Sequence, residues 1–356
     1  MSDQRTVLVV GAGGFIGGRI VEVLHQLGAD HVRAGLRRWA GGARVGRLPV
    51  ELVQVDIRDD GDLRRALDGV THVVNCAVGD PSTTVDGTRK LLTAAHASGA
   101  QRVVHISTVD VYGQPEGEVD ESRPLTITGR PYGDSKIEAE RACQELAAKG
   151  LPVTILRPTL VHGPFSATWT VPYAQRMLKR PWLIPEAVSQ GTCNLLYVDD
   201  LASAVLAALS ADTTPGDAFN VNGPERPTWH AYFTQLNDAL GLPPLVDATP
   251  SGARVRSAAV QPLRKSAKFL INHFEPQIMR VGQRSLLARN TMLRAERLVR
   301  TTPSPAEFAL YQRQASFSTS KAQDILGYRP ACPMATALPL TAAWLRHHGY
   351  VTGPGD

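Results

Sequence analysis

The sequence predicts a doubly wound α/β fold, a parallel sheet with helices on both faces, joined to a smaller C-terminal domain. Three observations predict it. Short β-branched runs alternate with amphipathic segments through the first half of the chain. The runs are apolar without alternation, as strands buried on both faces are. The first run ends in a glycine-rich turn that opens a helix. At 356 residues the chain is too long for one small core and has room for about two domains.

The runs are Val7–Val10, Val32–Leu36, Leu52–Val55, Val73–Cys76, Val103–Ile106 and Val153–Leu156. After the first, Ile16, Ile20, Val23, Leu24 and Leu27 fall on one helical face, and Gly28 stands where a C-terminal glycine stop belongs. Beyond Pro158 the texture changes, with Pro, Gly and Trp frequent through Gly163-Pro164 and Pro181-Trp182, which reads as a second, less regular domain. Leu195 to Val198, a helix over Asp199 to Leu209 and a last strand at Phe219 to Val221 then return the chain to the sheet. The expected boundaries are 1–163 and 192–222 for the sheet domain, and 164–191 and 223–356 for the second.

Composition narrows the class. A hydrophobic fraction of 43% and a charged fraction of 20% are those of a globular protein, and no stretch runs apolar long enough to cross a bilayer. The first residues lack the basic flank and cleavage site of a signal peptide, so a cytoplasmic protein is expected. Cys76, Cys143, Cys193 and Cys332 are scattered without CxxC spacing, so neither a structural disulfide nor a metal site is expected. The net charge of +5 is local: residues 264–300 hold nine basic and two acidic side chains, leaving the remainder at about −2. That balance gives no footprint for nucleic acid. Within the stretch, Ala267, Leu270, Ile271 and Phe274 recur at helical spacing among the bases, while Pro276 and Gly282 argue against one long helix. It reads as a solvated basic face, with weak contact to an anionic membrane surface or a phosphorylated ligand as the alternative.

The glycine-rich turn, Gly11-Ala-Gly13-Gly14-Phe15-Ile16-Gly17, lies between strand and helix, the setting in which a backbone admits a dinucleotide pyrophosphate onto a helix N-terminus. At the end of the second strand an acid would select NAD by holding the ribose hydroxyls. This chain has Arg37 and Arg38 there, and guanidinium groups suit the 2′-phosphate of NADP, so NADP is expected over NAD. Asp56-Ile57 follows the third strand, where a short polar side chain can meet the adenine edge or simply form a turn. Tyr132 and Lys136, four residues apart, share a helical face, and Thr108 ends the preceding strand. A phenol of pKa ~10 is a poor base, but a nearby ammonium favours the phenolate, which would take a hydroxyl proton as hydride leaves the same carbon.

Taken in order, Gly11 to Gly17, Ser107-Thr108-Val-Asp-Val-Tyr-Gly113, Tyr132-Gly-Asp-Ser-Lys136, Arg157-Pro158, Tyr197-Val-Asp-Asp200 and Lys321-Ala-Gln-Asp-Ile-Leu-Gly-Tyr-Arg-Pro330 resemble the extended short-chain dehydrogenase/reductase family from residue 5 to Pro330. The resemblance implies a Rossmann sheet of about seven strands. It also implies that Thr108 holds the substrate oxygen, Tyr132 is the acid/base, and Lys136 binds the nicotinamide ribose and lowers the tyrosine pKa. Ala77 and Pro158, after the fourth and sixth strands, complete the candidate cofactor contacts.

Two departures bear on the substrate. Members acting on nucleotide sugars usually carry a longer segment before the helix near Asp86-Gly-Thr88, where this chain has only Gly79-Asp-Pro-Ser-Thr-Thr-Val85. The similar sugar 4,6-dehydratases carry Asp-Glu directly after the catalytic Thr, where this chain has Val109 and Asp110, and a valine cannot donate a proton. A dehydratase is therefore not expected. The reading that follows is an oxidoreductase or epimerase acting on a nucleotide-activated sugar. Its rivals are a hydroxysteroid dehydrogenase-like enzyme for a hydrophobic alcohol, as Phe317-Ser318, Lys321-Ala322 and Leu326 to Pro330 resemble, and a catalytically idle NADP-binding scaffold. A small-molecule substrate is the expected partner, and a homodimer is compatible with the family pattern.

Overall fold

The computed structural model describes residues 5–28, 31–178, 182–264, 298–299 and 301–351. Nearly all of the basic stretch 264–300, with its proposed surface contact, lies outside the described residues. The chain divides into two compact units, 1–162 with 194–225 and 315–333, and 163–193 with 226–314 and 334–356.

The first unit is built on seven parallel strands: β1 (Thr6–Val10), β2 (His31–Leu36), β3 (Glu51–Gln54), β4 (His72–Asn75), β5 (Arg102–Ile106), and two later ones, Val153–Pro158 and Ala218–Val221. Their spatial order runs from β3 through β2, β1, β4 and β5 to Val153–Pro158 and Ala218–Val221, in the Rossmann pattern expected. The reason for unbroken apolar runs is visible in β1. Val7 and Val9 enter the core on one face of the sheet and Leu8 and Val10 the core on the other, all 2% exposed or less. Each such side chain contributes about 1.5–3 kcal/mol of burial.

One face is covered by α1 (Phe15–Leu27), which buries Ile20, Val21 and Leu24 and ends at Gly28 in the left-handed conformation (φ 62°). The other face is covered by α2 (Asp60–Leu67), α3 (Pro81–Ala97) and α4 (Pro131–Ala147), whose Leu63, Leu91, Leu92, Ala142 and Leu146 share the second core. Asp59 and Asp80 cap α2 and α3 by accepting the amides of Asp62 and Thr83.

Two expectations are corrected. Leu195–Tyr197 is a strand, but it pairs in parallel with Leu160–His162 in a separate two-stranded sheet; only Ala218–Val221 rejoins the main one. Residues 315–333, read from the sequence as second-domain, belong to the first unit. Ala315–Phe317 pairs with Gly117–Val119, Lys321 Nζ reaches Asp217 Oδ1 at 3.0 Å, and Tyr328 donates its hydroxyl to the Asn222 carbonyl at 2.9 Å.

The second unit is mainly helical and folds around aromatic rings. Tyr173, Trp229, Phe233 and Tyr311 lie with centroids 4.8–6.5 Å apart and are almost fully buried. Arg176 pairs with Glu307 at 2.7 Å beside them. Among the described residues no helix is long and apolar enough to cross a membrane.

Candidate active site

The strand order reverses between β1 and β4, so the crevice beyond their carboxyl ends is where this topology accepts a ligand. The glycine-rich turn fills it. Gly11 has φ +81°, and a Cβ there would lie 2.9 Å from the Cys76 carbonyl; a Cβ on Gly17 would lie 2.4 Å from the Gly11 oxygen. Glycine at these two places is what lets β1, the turn and α1 close on one another. Gly13 and Gly14 are exposed, Phe15 and Ile16 half-buried, and α1 starts with no side-chain cap and no acid in its first turn. The turn therefore offers free amides and the positive end of a helix dipole to an anion, which fits the pyrophosphate of a dinucleotide.

Arg37 and Arg38 follow β2 with exposed side chains. Asp56 lies near enough to feel the Arg37 charge, but its carboxylate is bound by Arg58 through Nε (3.0 Å) and Nη2 (2.7 Å), and these bonds hold it down at about 2. The Ile57 side chain is 4% exposed and turned to Gly87, where a Cβ would come within 2.6 Å of it. Ala77 follows β4 and gives its amide to Asn75 Oδ1 at 3.1 Å, while Pro158 is buried at the end of its strand.

Thr108, Tyr132 and Lys136 come together. Thr108 sits just past β5 and caps the 3₁₀ turn Val109–Tyr112, its Oγ1 accepting the Asp110 amide at 3.2 Å. Tyr132 is in the first turn of α4, behind Pro131, with the Thr108 side chain near enough to act on its phenol. Gly133 lets the helix approach that turn, since a Cβ there would already stand 3.2 Å from the Asp110 carbonyl oxygen. Although Tyr132 is 47% exposed, its phenol is held above its ordinary value by desolvation and by the Asp110 carboxylate, with the nearby Thr108 side chain pulling the other way. Lys136, which the family resemblance makes the residue that lowers this pKa, follows one helical turn later on α4. Lys136 is 3% exposed and its Nζ donates to the Ile106 carbonyl at 2.7 Å.

Burial brings the Lys136 ammonium down to about 8, against the smaller opposite pull of Cys76, Cys143 and Glu140. A fall from 10.5 to about 8 corresponds to about 3 kcal/mol charged against the fold at neutral pH. The sign is fixed by the proton count. Between about 8 and 10.5 the unfolded chain binds more protons, so the cost fades as pH rises through that window. Lys136→Met is expected to be the more stable protein at pH 7, by at most about 3 kcal/mol and less the lost Ile106 bond, and to lose that advantage by pH 10.5. Urea unfolding of both proteins across pH 7 to 10.5 measures this; an advantage that grows with pH contradicts it.

Behind these residues lie two groups the sequence reading missed. Asn75 Nδ2 reaches His105 Nδ1 (3.1 Å) and Thr88 Oγ1 (3.2 Å), and burial together with the Lys136 charge keeps His105 neutral. Glu140, one turn beyond Lys136, takes the guanidinium of Arg157 at 2.6–3.2 Å and the Ser107 hydroxyl at 2.5 Å, while Arg157 also donates to Tyr112 Oη at 2.8 Å. The signal was a charged residue four after the lysine, on the helix face that turns inward. Among the described residues no cluster of His, Cys, Asp and Glu could hold a metal ion, and the four cysteines are free.

Residues 7–222 match the model of the NAD dependent epimerase/dehydratase family. The chain belongs to that family. It is 26% identical to a putative dihydroflavonol 4-reductase of Synechocystis over 96% of this chain and 95% of that protein. It is 34% identical to sterol demethylase protein B of Methylococcus capsulatus, but over 45% of this chain and only 52% of that relative. Among solved structures of family folds, UDP-glucuronic acid 4-epimerase from Bacillus cereus in complex with NAD has a TM-score of 0.70 at 20% identity, over 96% of this chain and 99% of that one. The dTDP-glucose 4,6-dehydratase DesIV from Streptomyces venezuelae also scores 0.70, at 22% identity over 98% and 99%. At these identities the structures show the shared fold.

Proposed function

We propose that this family member is an NADP-dependent oxidoreductase or epimerase, transferring hydride at a single carbinol or carbonyl carbon of a nucleotide-activated sugar. The observation that carries the proposal is the convergence of Thr108, at the end of β5, with Tyr132, in the first turn of α4, where the Thr108 side chain acts on the phenol, one helical turn before the buried Lys136. The nicotinamide, when bound, supplies or accepts the hydride. Thr108 holds the substrate oxygen, Tyr132 moves the proton at that oxygen, and Lys136 holds the nicotinamide ribose. Because desolvation and Asp110 favour the neutral phenol, Tyr132 meets a ketone as a proton donor, which is the direction of reduction. Val109, buried beside Thr108, leaves an elimination without one of its two proton carriers, so 4,6-dehydration is not part of this reading. The first unit takes the cofactor and the second the substrate, in the cytoplasm.

NADP rather than NAD is supported by two exposed guanidinium groups at the end of β2 and the absence of an acid there. NADPH is expected to bind more tightly than NADH by about 1.5 to 3 kcal/mol, the range of a charge-assisted contact. Arg37→Ala should erase the preference and leave NADH binding nearly unchanged. Calorimetric titration decides it: equal affinities in the unaltered protein reject NADP specificity.

A second reading, a reductase of a hydrophobic ketone, is favoured by Val78 and Ile127, which stand 55% and 53% exposed in the same unit as Tyr132, and by α3 starting at Pro81 with no room for a longer segment before it. A panel of nucleotide sugars, keto-sugars and hydroxysteroids, with NADPH oxidation as the readout, separates the two. Turnover confined to the apolar members would replace the sugar by the second substrate class.

A further inference from the structure

We propose that Glu22 is a positioning residue for recognition of the cofactor's 2′-phosphate. By drawing Arg44 and Arg47 onto α1 it holds the loop that begins with Arg37 and Arg38 against the glycine-rich turn. This rests on the NADP reading above.

Glu22 lies in the middle of α1, and its side chain is 12% exposed. Arg44, from the loop after β2, grips it with two bonds, Nε to Oε1 and Nη2 to Oε2, both 2.7 Å. Arg19 Nη1 joins at 3.1 Å and Arg47 Nη2 at 3.5 Å. Arg44 Nη1 also donates to the Phe15 carbonyl at 3.2 Å, at the start of the helix that the glycine-rich turn opens. Two glycines are shaped to the same contact. A Cβ on Gly18 would stand 3.2 Å from Arg44 Cδ, and one on Gly13 would stand 2.7 Å from the Gly41 carbonyl oxygen. Between these ties, Val45 is fully buried in the core beside Leu36. The Arg38 carbonyl accepts the Gly41 amide at 3.0 Å, so the turn that starts at Arg38 is closed on itself before it reaches the tie.

The loop is therefore fastened at both ends, to the turn at Gly13 and to the helix at Glu22, while the side chains of Arg37 and Arg38 remain exposed. Gripping a phosphate with two long exposed side chains costs rotamer freedom. Fixing their backbone beforehand lowers that cost without any contact between Glu22 and the ligand. A residue in this role changes affinity for the phosphorylated cofactor and spares the unphosphorylated one.

The experiment titrates Glu22→Gln, Arg44→Met and the double variant with NADPH and with NADH, and follows amide hydrogen exchange of residues 38–47. Each single variant should bind NADPH roughly tenfold more weakly and NADH within about twofold of the unaltered protein, with faster exchange in the loop. The double variant should be no worse than the weaker single one, since both break one contact. Equal losses for the two cofactors would assign Glu22 a merely structural role and overturn the proposal. So would tighter NADPH binding, with Arg44 released to the phosphate, or unchanged exchange. Equal NADPH and NADH affinities in the unaltered protein overturn the NADP reading and this assignment with it. A preference that all three variants keep overturns this assignment alone.

Discussion

Tyr132→Phe is expected to lower turnover by ~10² to 10⁴ while fold and cofactor affinity stay as they are. The substitution removes one oxygen from a side chain that is 47% exposed, beside the Thr108 side chain. Stability should change little, because Thr108 keeps the Asp110 amide and the ring keeps its place behind Pro131. What is lost is the group that gives the substrate oxygen its proton as hydride arrives. If the loss lies in that proton transfer, kcat and kcat/KM fall together, with KM nearly constant. The pH profile is informative as well: Asp110→Asn removes the carboxylate that favours the neutral phenol, so the basic limb of the reductive reaction should move to lower pH. Near-normal turnover of Tyr132→Phe on any substrate the protein accepts would make Asp110 the acid to test next.

The main sheet was legible because its strands are buried on both faces, which writes them as unbroken apolar runs. The glycine-rich turn was legible for a different reason: Gly11 and Gly17 touch backbone that lies within a few residues or at the end of the neighbouring strand, so the constraint is local. Segments whose placement depends on distant partners were not. Ala315–Phe317 has three residues, too few for a period, and is a strand only because Gly117–Val119 lies beside it. Leu195–Tyr197 reads like any buried strand, and nothing in it says which sheet it joins. In the site, spacing placed Tyr132 and Lys136 on one helix but could not show that the lysine points to Ile106 or that Asp110 acts on the phenol. Asn75 and His105, thirty residues apart, meet only because β4 and β5 are neighbours in register.

Glu140→Ala is expected to destabilise the protein by about 3 to 5 kcal/mol, the range seen when one partner of a buried ion pair is removed. Glu140 and Arg157 are 2% and 5% exposed, and their pairing holds α4 to the end of the strand Val153–Pro158. Without the carboxylate, the guanidinium keeps only the Tyr112 hydroxyl of its two side-chain partners, and Ser107 loses its acceptor. Both groups are too deep for water to replace the missing oxygen atoms without opening the core. The cost should therefore be much smaller when both charges go at once: Glu140→Leu with Arg157→Met leaves neither member of the pair as an unpaired ion and should recover most of the stability. Denaturant unfolding of the single and double variants measures this coupling, and a double variant as unstable as Glu140→Ala would refute it. The pair also bears on catalysis, because Lys136 stands one turn before Glu140 on α4, and Thr108 follows Ser107. If the pair fixes the height of α4 against β5, the double variant should refold to near-normal stability yet keep a reduced kcat. Stability restored with full activity would confine Glu140 and Arg157 to the fold.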